Sequence, residues 1–562
     1  MLSSHILLAG IFFVSSLLNQ RSIFSLSIDN QTGKPLFTIR FCSKKPNTIL
    51  RLLFITRCTI NITALGHSCI LLSFACEEQL DPIQILVDPW LSDHATGDVM
   101  SRFPRLRFDI DVLGNIDAVY LTHAHCDHLD PYTLIRLWKE LKSPPTLIIP
   151  ISLRYLVPIF QQYLSSPKMI VLEPHKPIDF HGIELLGFFD VGQHSHNEED
   201  VMILILTHQR ERVLIEADAR LALDLVNFRQ YISMLMRDPQ LESVVYLSTE
   251  NELTGTMESR NCLSFNDRQA LFEYAFEELY ESIYQLYQPV EDPADLWYEK
   301  KLLRLIHGQG LTAPHELDSR WQKILFPVRI ADRVQAEREI AHHYGFQHRI
   351  DGLRVGYVHT IISGKIKECI PVAGLTLLDT EESRLFDHAL SFFPQFPCAP
   401  LRSNTRDIPN QKNRIIELLN QFFLPYLHAS RNPPMIHLLS ENQGTYRIRI
   451  HYGQQIYKQA FDYILSFDNY QFVQTPPIEE AAHEIYWAND LEDFLDGHCD
   501  EFSTFCRKQF SAPYMHLWSF LATPLLNSAL LIKRIQIHFE RASKGKTPGS
   551  WVLAMYKEES PS

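Results

Sequence analysis

Four side chains able to ligate a metal, His123, His125, Asp127 and His128, fall within six residues in the segment Leu121-Thr122-His123-Ala124-His125-Cys126-Asp127-His128. Imidazole nitrogens with a carboxylate suit zinc, and also iron or manganese, whereas a set of thiolates would indicate a closed structural zinc site. His123 and His125, two apart, can turn to one ion while Asp127 and His128 face a second. Two divalent ions close together lower the pKa of a shared water towards neutrality and stabilise the oxyanion of a tetrahedral or pentacovalent transition state. In that chemistry Asp127 both binds metal and orients the nucleophile, which makes it the candidate catalytic residue. A chance cluster of surface histidines is the competing explanation.

The elements around this cluster are legible from hydrophobic pattern. The apolar run from Ile116 to Leu121 predicts a short buried strand, and Asp130-Pro131 followed by Leu134, Leu137 and Trp138 predicts a helix, so the cluster sits on a strand-to-helix loop. Upstream, Ile60, Ile62 and Ala64 alternate before Gly66-His67-Ser68, and the runs Cys69 to Leu72 and Gln84 to Val87 follow as a β meander. Downstream, strands are predicted at 146–149, 169–172, 183–191, 201–206, 212–215 and 243–247, with helices after Asp218 and over 267–287.

The motif His-x-His-x-Asp-His after an apolar strand resembles the signature of the metallo-β-lactamase superfamily. That resemblance implies an α/β fold, an αββα sandwich of two sheets over about 56–375 with the metals at one sheet edge. It implies that Asp88, in Ile85-Leu86-Val87-Asp88-Pro89-Trp90, braces the metal loop, and that Asp218, closing Leu214-Ile215-Glu216-Ala217-Asp218, bridges two metals; a helix N-cap is the other role open to Asp218. It implies a third histidine after a strand, supplied by Gly192-Gln193-His194-Ser195-His196, with His194 preferred and His196 the alternative. The last ligand expected is His359, because Leu353 to Val358 reads as a strand ending in histidine; His307, beside Gly308, is the alternative. The cofactor implied is two divalent ions, zinc first, with iron or manganese as alternatives.

Gly66-His67-Ser68 with Val87-Asp88-Pro89-Trp90-Leu91 resembles the branch that holds an ascorbate-phosphate lactonase, N-acyl-phosphatidylethanolamine phospholipase D and CMP-N-acetylneuraminate hydroxylase. His67 either supports the metal pocket from behind or is a turn histidine bonded to backbone. The activity implied is hydrolysis of an ester, lactone, amide or phosphodiester. No serine nucleophile elbow, phosphate loop or dinucleotide fingerprint competes with it. The alternative is a diiron or manganese oxygenase, since Phe188 to His194 with Ala217-Asp218-Ala219-Arg220 resembles diiron hydroxylases acting on carrier-tethered amino acids. Those enzymes have a glutamate ligand where Gln193 falls, and an amide is a poorer iron ligand. No cysteine before residue 100 has the C-x-H or C-x-x-H spacing of a Rieske cluster. A non-catalytic scaffold would have lost its ligands, and these are intact.

The chain has 562 residues, 46% hydrophobic and 21% charged, ordinary for a globular protein of several domains. A net charge of −14 argues against a nucleic-acid partner; the partner that the resemblance implies is a small-molecule or lipid-like substrate. Ten cysteines without a C-x-x-C pair read as reduced core residues, Cys126 as filler in the metal loop. Residues 1–55 read as an irregular extension. Its apolar stretch Ile6 to Leu18 is of signal-peptide length but lacks a preceding Lys or Arg and a small-x-small cleavage site, and it is short for a membrane span. A cytoplasmic location is therefore expected, with export or anchoring through 6–18 as the alternative and membrane association left open. Residues 289–350 read as a helical, proline-punctuated insertion over the site. Residues 376–562 read as a separate α+β domain, for dimerisation (a homodimer) or for shaping the substrate entrance.

Overall fold

The computed structural model describes residues 22–28, 35–41, 50–51, 58–76, 81–94, 101–189, 201–219, 238, 241–249, 302–308, 311–312, 330–342, 349–378, 407–423, 445–452, 459–466, 471–478, 482, 484–498, 509–510 and 529–547. They divide into two units, Met1–Arg57 and Cys58–Ser562. In the first, Ser22–Ile28 pairs antiparallel with Pro35–Phe41, which pairs with Leu50–Arg51, so the expected irregular extension contains a small sheet. The apolar stretch 6–18 lies outside the described residues. Among those described, no helix is long and apolar enough to cross a membrane.

The second unit begins with the predicted meander, β1 (Cys58–Gly66), β2 (Cys69–Cys76) and β3 (Ile83–Val87). β4 (Ala118–Tyr120) precedes the metal loop, and α1 (Pro131–Glu140) follows it. α1 starts where Asp130 accepts hydrogen bonds from the Tyr132 and Thr133 N–H groups, with proline at the first helical position, a strong start signal. Then come β5 (Thr146–Pro150), α2 (Val157–Tyr163) and β6 (Met169–Leu172). β7 (Ile178–Phe180), β8 (Ile183–Phe189), β9 (Met202–His208), β10 (Glu211–Ile215) and β11 (Ser243–Thr249) follow. β12 (Leu302–His307), α3 (Ile330–His342), β13 (Ile350–Gly352), β14 (Tyr357–Ile362) and β15 (Lys365–Pro371) complete this part.

Two sheets result. The first has eight strands in the order β6-β5-β4-β3-β2-β1-β14-β15, the second seven in the order β7-β8-β9-β10-β11-β12-β13. Alternation aims Ile60 and Ile62 of β1, Leu204 of β9, Leu247 of β11 and Leu303 and Leu305 of β12 into one core between the sheets. The first sheet's other face, with Leu71, Leu86 and Val119, packs on α1 and α2. On the far side of the second sheet, Arg304 of β12 meets Glu337 of α3. Helix, sheet, sheet, helix is the αββα sandwich of the metallo-β-lactamase fold, as the sequence implied.

One expectation is corrected. The stretch 289–350 is not a helical insertion throughout, because Leu302–His307 is a fully buried strand paired in parallel with β11 and β13. Its inward residues Leu303 and Leu305 alternate with Arg304, whose charge obscures a strand until its partner is seen: Glu337 is wholly buried, with two N···O contacts of 3.0 Å to Arg304. Only α3 satisfies the helical reading among the described residues there.

The C-terminal part is α+β, as expected. α4 (Ile408–Leu418), β16 (Thr445–His451), β17 (Ala460–Ser466), β18 (Phe472–Thr475), β19 (Glu484–Trp487) and α5 (Ala488–Leu495) surround a core of Ile415, Ile448, Tyr463 and Leu491. The last helix among the described residues, α6 (Ala529–Ser543), joins the two parts. Leu530 enters the C-terminal core, while Leu531, Ile535 and Phe539 enter the core under α1 and α2. The Phe539 ring lies 5.6 Å from Tyr163, stacked, and 5.8 Å from Phe160, edge-on.

Phe539→Ala should therefore lower the unfolding free energy by about 3–5 kcal/mol, read in urea melts; a loss below about 1 kcal/mol would remove α6 from the core. A second expectation concerns pH. Burial, then neighbouring Glu242, pushes the Glu211 carboxyl from its ordinary 4.5 up to about 7. The folded state thus holds this proton more tightly than the unfolded chain, so the stability it contributes is full below pH 4.5 and is lost as pH rises through about 7. Glu211→Gln should flatten the stability profile between those values, and an unchanged slope would refute the assignment.

Candidate metal centre

The site begins with Asp88, directly after β3. Its main-chain N–H donates to the Tyr120 carbonyl at 2.9 Å, tying the ends of β3 and β4 together. Its Oδ1 accepts from the Thr122 N–H at 2.8 Å and its Oδ2 from Thr122 Oγ1 at 2.7 Å. The same Oδ2 lies 2.8 Å from His128 Nδ1. Asp88 therefore braces the metal loop at both ends. With Nδ1 of His128 committed to a carboxylate, its Nε2 is the atom left facing the cluster, the arrangement by which metal-binding histidines are oriented. Thr122 Oγ1 also lies 2.8 Å from His123 Nδ1, so His123 likewise turns Nε2 inwards.

Asp218 reaches the same place from the second sheet, on a turn after β10 where Ala217 is left-handed at φ 51°. Its Oδ2 is 3.3 Å from His128 Nε2, 3.4 Å from His123 Nε2 and 3.6 Å from His125 Nδ1. Asp127 Oδ2 lies 2.9 Å from His67 Nε2 and 3.9 Å from His128 Nε2. Two groups emerge, His67 with Asp127 and His128, and His123 with His125 and Asp218, the donor atoms in each within 4.8 Å of one another. The side chains of His125 and Asp218, each 18% exposed, form the open side.

His67 depends on the turn before it. Gly66 has φ 109°, a conformation that favours glycine, and a Cβ there would stand 3.1 Å from Arg102 Cδ and press on that side chain. Arg102, wholly buried, donates to the carbonyls of Leu65 and Trp90 and so clamps the chain on either side of the site. The His67 ring lies edge-on between Trp90 and His128, 5.6 Å from each. Of the roles left open for His67, the structure places it against Asp127.

Burial, with His128 and His125 nearby, lowers the pKa of His123 to about 4. Burial would raise the Asp127 and Asp218 carboxyls, but the facing imidazoles hold both well below the usual carboxylate range. His128 goes the other way: burial opposes its charge, yet Asp218, Asp127 and Asp88 pull its pKa well up. The pocket thus concentrates negative charge around imidazoles. Asp127 Oδ1 and His128 Nε2 are buried there with no hydrogen-bond partner, a costly state for polar atoms. Both features, and an all-nitrogen-and-oxygen donor set, fit a pair of divalent cations of the zinc, iron or manganese type. Cys126 is buried beside these groups but belongs to neither.

Of the other predicted residues, His194 and its alternative His196 lie outside the described residues, as does Gln193. His359 is not brought to the cluster. It sits within β14, opposite Ile62, and accepts a hydrogen bond from the Arg354 N–H at 3.3 Å. Ile62 is five residues from His67, roughly 17 Å along an extended strand. The run Leu353 to Val358, read as a strand ending in histidine, includes a turn at Gly356, φ 81°, and the strand starts only at Tyr357. His307, the alternative, closes β12 in phase with inward-facing Leu303 and Leu305, and its imidazole hydrogen-bonds to the His67 main chain. Burial, then His67, lowers its pKa to about 3.

Neither a protein-family model nor a curated relative matches the sequence. Solved structures with this fold are similar at low identity. The diiron β-hydroxylase CmlA from Streptomyces venezuelae is 13% identical at a TM-score of 0.31, with 54% of each chain covered, so the match spans about half the length of that protein. YhfI from Bacillus subtilis, a metallo-β-lactamase fold protein, is 15% identical at 0.23, covering 35% of this chain and 72% of its own. A long-form RNase Z from yeast is 10% identical at 0.29, covering 60% of this chain and 53% of its own.

The geometry separates the two late histidines. His307→Ala should lower bound metal in elemental analysis, with affinity falling about 10-fold or more, whereas His359→Ala should leave metal content at the wild-type value; the reverse result would restore His359.

Proposed function

We propose that the chain is a hydrolase working through two divalent ions, zinc first, on an ester, lactone, amide or phosphodiester of a small or lipid-like substrate. The observation that supports this best is the central place of Asp218 Oδ2, 3.3–3.6 Å from imidazole nitrogens of both donor groups. On this reading His123, His125 and Asp218 would hold one ion and His67, Asp127 and His128 the other, with His194 or His196 expected from the sequence to complete the first group. Ions held there supply a water of lowered pKa and an electrophile for the scissile carbonyl or phosphoryl oxygen.

The protein's own residues do the rest. Asp127, whose Oδ2 belongs to the second donor group, keeps its other oxygen, Oδ1, to accept a hydrogen bond from the attacking water and set its direction. Asp88 and Thr122 hold the imidazoles in one tautomer, so no reorganisation is needed during the reaction. Trp90, wholly buried beside His67, excludes water from the rear of the site. An oxygenase is the second reading, because a donor set without thiolate also accepts iron; Gln193 in place of a carboxylate ligand counts against it.

Protein purified without chelator should carry about two zinc ions per chain with no visible absorption, and removing them should abolish turnover of phosphodiesters, lactones or acyl amides until zinc is returned. Iron with a near-ultraviolet oxo-bridge band would favour the oxygenase instead. Asp127→Ala should cut kcat by about 10²–10⁴-fold while the chain stays folded; full turnover in that variant would overturn the role given to Asp127.

A further inference from the structure

Behind Asp218, on the face of the second sheet turned to α3, lies a set of buried polar groups that the chemistry above does not use. Glu216, Tyr246, Ser248, Arg304 and Glu337 are each no more than 2% exposed. Glu216 follows the last residue of β10 and precedes Asp218 by two. Its Oε2 accepts from Tyr246 Oη at 2.5 Å and from Ser248 Oγ at 2.9 Å. Tyr246 and Ser248 stand two apart on β11, hence on one face, and the register Leu214↔Tyr246, Ile215↔Leu247 brings them alongside the end of β10. The Glu216 N–H donates to the Leu247 carbonyl at 3.2 Å. On the next strand Arg304 is opposite Tyr246, its Cζ 5.2 Å from the ring centroid, and it pairs with Glu337 of α3.

Burying a carboxylate is expensive unless it is hydrogen-bonded, and a sheet end does not otherwise require one. Here the expense falls at the point where β10 must stop and turn. Ala217, between Glu216 and Asp218, is left-handed, a conformation that costs a residue with a side chain. Two hydroxyl hydrogen bonds on one side of that residue hold the turn in place, and Asp218 Oδ2 on the other side must fall among three imidazoles.

We infer that Glu216, held by Tyr246 and Ser248, is the positioning residue of the Asp218 carboxylate, and that the Arg304–Glu337 pair anchors this device to α3. The inference rests on the metal-centre reading above and adds a group that touches neither ion. Glu216→Gln keeps the shape and removes the charge; Tyr246→Phe keeps the ring over Arg304 and removes the hydroxyl. Both should bind at least one ion about 10–100-fold more weakly in competition with a chromophoric chelator, and the visible bands of the cobalt-substituted protein should shift. Metal-free samples melting in a single cooperative transition show that the fold persists. Folded variants that bind two ions with wild-type affinity and spectrum would overturn the inference. Should Glu216→Gln fail to fold, Tyr246→Phe decides. Wild-type protein that binds no zinc, cobalt or iron would overturn the metal-centre reading, and this inference with it.

Discussion

The rest of the structure depends on one buried carboxylate, that of Asp88. It receives the main-chain N–H and the hydroxyl of Thr122 and faces Nδ1 of His128, so a single group fixes where the metal loop leaves β4 and how its last imidazole is turned. Such a group is stable only when every partner is present, because an unpaired buried charge costs several kcal/mol. The parallel pairing of β3 with β4 delivers those partners, as Val87 lies opposite Tyr120 and Asp88 then meets Thr122. Some of the molecule's backbone strain lies at the same place. His67, Asp88 and Ala217 all have left-handed conformations, at φ 43°, 42° and 51°. Sites that aim several side chains at one point store strain of this kind, and the surrounding hydrogen bonds offset it.

Charge gives the second constraint. Asp88, Asp127 and Asp218 surround four imidazoles in a pocket where water competes little, and His128 responds by holding a proton far more firmly than a free imidazole. A pocket with that balance favours cations, and a divalent ion satisfies in one step what protons satisfy one at a time. The wholly buried Arg102 does not neutralise it, since its guanidinium is spent on the carbonyls of Leu65, Trp90 and Leu106. A cation used as a backbone clamp keeps the turns of His67 and Trp90 rigid without filling the place a metal would take.

The C-terminal part bears on the site through α6. Leu531, Ile535 and Phe539 close the apolar layer over α1, the helix that issues from the metal loop, and Tyr132 at its start meets His538 at 3.1 Å. The sequence reading of an independent domain after residue 375 captured the α+β character but not this bond between the parts. The apolar residues of α6 are spaced as in any amphipathic helix, and periodicity says that a face is buried without saying against what.

By itself the sequence determined the loop and its donor set, His123, His125, Asp127 and His128 between an apolar strand and a proline-started helix, and Asp218 at the end of a later strand, while the Asp88 brace was implied by the family resemblance. These were legible because each lies within a few residues of a strand or helix boundary, where local pattern is strongest. Tertiary structure decided which distant groups join them. His307 and His359 each follow an apolar run, yet β12 runs parallel beside β11 and ends at the site, while β14 is antiparallel to β1 and carries His359 away from it. Of the two roles the sequence left open for His67 only the assembled structure chose one, and Glu216 was hidden altogether, since nothing local says that a glycine turn faces Asp127 or that a glutamate at a strand end is covered by Tyr246 and Ser248. Strand order and register set those distances, and they are properties of the assembled sheets rather than of any segment read alone.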